Sequence, residues 1–125
     1  MRVFLIAIIF LATSCTGNDK KSSAENTVVT ESVDGELLFK NNCASCHRAN
    51  QDFTGPALNA ALERWGGDKK AMYDFIRNPA KSIAENPYAK QLFEKWNKTM
   101  MTPSALSDTE LDAIMNFCSN AHSVQ

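Results

Sequence analysis

Cys43-Ala44-Ser45-Cys46-His47 carries the clearest chemistry in this 125-residue chain. Two thiols separated by two residues can add to the two vinyl groups of one porphyrin, and a histidine directly after them can reach the iron. The spacing C-x-x-C-H is the signature of c-type haem attachment. Four cysteines and two histidines in 125 residues would produce it by chance only about 0.002 times, so coincidence is set aside. The competing chemistry is a C-x-x-C disulfide or thiol–disulfide exchange site, which wants a βαβ setting. None is visible in the sequence.

The start of the chain fits a protein whose haem is attached outside the cytoplasm. Arg2 precedes the apolar run Val3–Ala12. That run falls short of the ~20 residues a membrane span needs and matches the core of a signal peptide. Ala12-Thr13-Ser14-Cys15 resembles a bacterial lipobox, with Ala12 where leucine is usual, and marks Cys15 for lipidation. The other reading of the same residues is ordinary cleavage that leaves no anchor. Residues 1–14 are thus expected to be a signal peptide, 15–33 a lipid-anchored flexible tether rich in polar residues, and 34–125 one domain. The formal net charge is −1. No basic face of the kind nucleic acid requires is evident. With Cys43 and Cys46 on haem and Cys15 on lipid, Cys118 remains and reads as a buried free thiol.

The elements that must position the motif read as all-α, about five short helices. The first is expected over about 34–46, with Gly35, Phe39, Cys43 and Cys46 on one face. The second covers about 57–65 on Leu58, Ala61, Leu62 and Trp65, stopped by Gly66-Gly67. The third, about 69–77, starts at an Asp68 cap and ends at Asn78-Pro79. The fourth, about 87–97, has Asn86 as its cap and Pro87 in its first turn. The last, about 108–120, opens on the capping box Ser107-Asp108-Thr109-Glu110 and carries the stripe Leu111, Ile114, Met115 and Cys118.

An iron held by His47 has a second axial position. Met72 and Met115 lie on apolar helical stripes, where methionine is usually core. His122 lies near the C-terminus, where chains are usually loose. Met100 and Met101 lie between helices, on a segment that can cross a porphyrin face. The residues alone leave these two open. A thioether there stabilises Fe(II) and closes the site to small ligands.

From residue 34 to 120 the chain resembles the class I cytochromes c. The likeness rests on Gly35…Phe39…Cys43-Ala44-Ser45-Cys46-His47, then Gly55-Pro56-Ala57-Leu58, then a methionine loop, then Leu106-Ser107-Asp108-Thr109-Glu110-Leu111…Ile114…Phe117. It implies that the first and last helices cross, with Gly35 and Phe39 against Ile114 and Phe117. It implies one covalent haem c contacted by Cys43, Cys46, His47, Pro56, Leu58 and Met101, with the Pro56 carbonyl accepting from His47 Nδ1. Met101-Thr102 ahead of Leu106-Ser107-Asp108 is similar to small monohaem cytochromes of Gram-negative bacteria, which puts Met101 before Met100 as the iron ligand opposite His47. Trp65 and Trp96 are either haem-pocket residues or plain core. The expected function is one-electron transfer on the periplasmic side of the envelope, between redox partner proteins such as membrane respiratory complexes, with no nucleic acid and no small-molecule substrate. The alternatives are a haem enzyme or ligand sensor with an open sixth position, a cytochrome subunit of a larger complex, and a haem-free thiol–disulfide protein.

Overall fold

The structure is a computed structural model and describes residues 33–121. The signal peptide, Cys15, most of the tether and His122 lie outside the described residues. Those described form six helices and no strand: α1 Gly35–Asn42, α2 Ala61–Arg64, α3 Lys69–Arg77, α4 Pro79–Glu85, α5 Pro87–Lys95 and α6 Asp108–Asn120. None is long and apolar enough to cross a membrane.

Three departures from the expected helices have local causes. The first helix stops at Asn42 instead of running to 46, so Cys43 and Cys46 do not share its face. The amides of Cys43 and Ala44 both bond to the Phe39 carbonyl, at 2.9 and 3.0 Å, and those of Cys46 and His47 both bond to the Cys43 carbonyl. Two carbonyls each taking two amides make a turn, and the chain leaves the helix axis there. The second helix begins at 61 instead of 57. The Ala61 amide bonds the Leu58 carbonyl at 3.1 Å, a three-residue step, and the Ala57 carbonyl takes the Arg64 side chain in place of a helical amide. Gly66 and Gly67, with φ of 66° and 80°, end it as expected.

The third departure is α4, which is additional to the five expected helices. Asn78 closes α3 and at once caps α4, its side chain accepting from the Lys81 amide at 3.2 Å. Pro79 fills the first turn of α4, where a missing N–H costs nothing. Asn86-Pro87 repeats the device at α5, with the Asn86 side chain accepting from the Tyr88 and Ala89 amides at 2.9 and 3.1 Å.

α1 and α6 cross where Gly35 presses on the Ala113 carbonyl; a Cβ at Gly35 would lie 2.1 Å from that oxygen. One turn on, Phe39 and Phe117 meet with ring centroids 5.5 Å apart. Phe39, Ile114 and Cys118 form one buried cluster, and Ala61, Met72, Tyr73 and Leu111 another. Leu58, Leu106 and Met115 pack against both and join them. Cys118 is fully buried, as expected.

Polar ties fix α3 to α6. The buried Tyr73 donates its hydroxyl to Asp112 at 2.7 Å, and Lys69 reaches the same carboxylate at 2.5 Å. Arg77 donates to the Leu106 carbonyl at 2.9 Å and to Asp108 at 2.5 Å. At the start of α6 the capping box is complete, Glu110 reaching back to the Ser107 amide at 2.8 Å.

Gly35→Ala should destabilise the protein by about 2 kcal/mol through forced separation of the two helices. An unchanged denaturant midpoint would refute that role for the crossing. Lys69, and after it Tyr73, hold the Asp112 carboxyl below its usual 3.8. A depressed carboxylate stabilises fully above that value and loses its contribution as pH falls through the lower folded value. Asp112→Asn should cost well under about 1 kcal/mol at neutral pH, because water screens the partly exposed carboxylate. The difference from the parent protein should shrink in unfolding titrations below pH 3.8.

Candidate functional site

The turn at the end of α1 places its three reactive side chains on one cavity of about 330 Å³. Cys43 is half-buried, Cys46 is exposed, and His47 lies between the turn and the following loop. Burial pushes the Cys43 thiol up to about 11, which keeps it protonated at neutral pH.

The loop after the turn builds a socket for the imidazole. The Gly55 amide donates to the Cys46 carbonyl at 2.8 Å, which draws residues 53–56 against the turn. Gly55 then lies flat on the ring: a Cβ there would come 2.5 Å from His47 Cε1. The next carbonyl, of Pro56, lies 2.8 Å from His47 Nδ1 and accepts a hydrogen bond from it. That hydrogen bond fixes the tautomer and leaves Nε2 as the nitrogen with a free lone pair. The pairing of His47 with Pro56 is the one the sequence resemblance implied.

The segment after α5 also borders the cavity. Trp96 caps that helix, Asn97 is left-handed with φ of 55°, and the Lys98 amide returns to the Phe93 carbonyl at 2.9 Å. This is a Schellman closure, with asparagine where glycine is commoner. It ends α5 two residues earlier than expected and turns the chain toward Met100 and Met101. Both methionines line the cavity; Met100 is 50% exposed and Met101 is half-buried.

The walls are apolar. Leu58 contributes from the loop before α2, Met72 from α3 and Met115 from α6. The last two were read as core, and they are core that also forms wall. Trp65 packs edge-on against Tyr88, at 4.9 Å, and lines the same space. Trp96 also lines it, and its buried Nε1 has no hydrogen-bond partner.

The residues present fit a haem. Cys43, Cys46 and His47 do not converge on a point: no group of three His, Cys, Asp or Glu among the described residues could hold a bare metal ion. They instead border an apolar space that Met100 and Met101 also line, as suits a macrocycle bringing its own metal. The flat seat at Gly55 and the unpaired Trp96 donor, which wants an acceptor such as a carboxylate, agree with that. The sequence reading missed Arg48 and Phe53, whose guanidinium and ring stack 4.0 Å apart beside the turn. No helical or strand periodicity encodes that contact. Only the position of Arg48 next to His47 hinted at it.

The cytochrome c family model matches residues 32–121. No curated protein matches the chain. Among solved structures, a cytochrome c from Rhodothermus marinus is similar at 35% identity and a TM-score of 0.61, over 74% of this chain and 77% of that one. An engineered cytochrome c from the same organism is 30% identical, with a TM-score of 0.59, over 83% and 91% of the two chains. With its all-helical fold and its thiol pair and imidazole on one apolar cavity, the chain belongs to the cytochrome c family and binds a covalent haem c.

Proposed function

We propose that this cytochrome carries one electron at a time through a single haem c, joined at Cys43 and Cys46 and held by His47 and Met101. The observation that carries the reading is the His47–Pro56 hydrogen bond at 2.8 Å beside the chain's one C-x-x-C-H. Bound haem supplies the one-electron iron couple. The protein's residues do the rest. His47 offers Nε2, because its other nitrogen is committed to Pro56. Gly55 limits rotation of the ring. Met101 offers a soft thioether, which favours the reduced iron and closes the sixth position. Its half-buried setting favours it over Met100, which is 50% exposed. Leu58, Met72 and Met115 exclude water from the cavity, and Trp96 offers its unpaired donor to a haem carboxylate. None of these groups forms an acid–base pair around a substrate, which favours a carrier over an enzyme.

The same proposal puts the domain outside the cytoplasmic membrane. Val3–Ala12 is the export signal, and Cys15 carries the lipid at the end of the tether. On the periplasmic side of a Gram-negative envelope, an anchored carrier meets membrane respiratory complexes at high effective concentration.

The mass of the purified mature protein should exceed that of residues 15–125 by about 616 Da for one haem, in addition to the lipid. It should also report the lipid on Cys15. A mass without the haem increment would sink the reading. The oxidised protein should show a band near ~695 nm from thioether ligation. Met101→Ala should abolish it and Met100→Ala should keep it. Survival of the band in Met101→Ala, or rapid CO binding by the reduced parent protein, would overturn the assignment.

A further inference from the structure

Arg48 joins the two halves of the His47 socket. Its Nη1 donates to the Ala44 carbonyl and, at 2.9 Å, to the His47 carbonyl. No backbone amide among the described residues reaches either oxygen. Without Arg48, two partly buried carbonyls of the attachment turn would lack their partner. The same guanidinium lies 4.0 Å over the ring of Phe53. Phe53 opens the loop that holds the imidazole: its amide donates to the Gly55 carbonyl at 2.9 Å, and Gly55 and Pro56 then grip the ring. One side chain thus ties the turn bearing the thiols to the loop that orients the histidine.

Its charge is also fixed in place. Arg48 is half-buried, and among the described residues it forms no ion pair with a carboxylate. The guanidinium is held by two carbonyl dipoles and an aromatic face, which orient a positive charge without cancelling it. A fixed cation favours whichever state of a nearby metal has less positive charge.

We infer that Arg48 is a positioning residue of the proximal side: it staples the attachment turn to the His47 socket, and its uncompensated charge raises the reduction potential. The inference rests on the proposed ligation of iron by His47. Its two parts separate in three variants. Arg48→Gln removes charge and staple, Arg48→Lys keeps charge but cannot span both carbonyls as a planar fork does, and Phe53→Leu keeps the arginine but removes its seat.

The experiment is a redox titration of the purified haem-loaded proteins at low and high salt, with hydrogen exchange at the Gly55 and His47 amides. Arg48→Gln should lower the midpoint potential, most clearly at low salt, and Arg48→Lys should restore most of it. Both should speed exchange at Gly55 and His47. Phe53→Leu should speed exchange too, and should make the potential more salt-dependent by freeing the cation. Equal potentials for the parent and Arg48→Gln would overturn the inference. So would an equal fall for Gln and Lys, because loss of packing alone would then account for it. Unchanged exchange in all three variants would remove the staple. Failure of the underlying ligation would show separately, as loss of the covalent mass increment or of the thioether band in the parent protein.

Discussion

Two thiols and an imidazole within five residues face one cavity from a turn, because the chain leaves the helix after Asn42. Much of what surrounds the site depends on how that turn at Cys43–His47 is held. A turn exposes carbonyls that a helix would use internally, and each partly buried one needs a donor. The Phe39 and Cys43 carbonyls each take two amides from the turn itself. The Cys46 carbonyl takes the Gly55 amide and the Arg48 carbonyl takes the Leu58 amide. Those two bonds pull residues 55–58 against the turn, and only there can Gly55 and Pro56 meet the imidazole.

The turn needs a rigid base, and the α1–α6 crossing provides it. Gly35 allows contact at backbone distance, so the eight residues of α1 are anchored from their first turn. Phe39 extends the contact to Phe117, and Cys43 packs on the same cluster as Ile114 and Cys118. The first attachment cysteine is thus continuous with the core, and the second is left at the surface. A short helix of modest amphipathicity gains its stability from such packing far more than from propensity.

What the sequence made legible follows the range of the interactions involved. The C-x-x-C-H turn, the capping box at Ser107, the glycine stop at 66–67 and the Asn86-Pro87 start are local, and each is readable from a few neighbouring residues. Asn78-Pro79 was equally readable, but its proline was taken only as an end and not as a beginning; the same dipeptide does both. The extent of α1 and α2 was not readable, because apolar periodicity does not show that the Phe39 carbonyl takes two amides or that the Ala57 carbonyl takes the Arg64 side chain. The stack of Arg48 on Phe53 is hidden for the same reason. The dual role of Met72 and Met115 was hidden differently. A stripe position says that a side chain points inward, and here the inside is both core and cavity.

The potential of such a site is a balance that this chain sets with neighbouring residues. A hydrogen bond from Nδ1 to the Pro56 carbonyl makes His47 a stronger donor, which favours oxidised iron. The thioether proposed as second ligand would favour reduced iron. Apolar walls act in the same direction, since a low dielectric penalises the extra positive charge of the oxidised state. The Arg48 guanidinium, one residue past the histidine, would add to that side. It also holds the loop whose carbonyl acts on the other. A single side chain therefore touches both arms of the balance. In Arg48→Gln the charge is lost at all times, whereas the loop opens more often but stays closed on average through the Gly55–Cys46 bond at 2.8 Å, so the charge dominates and the potential falls.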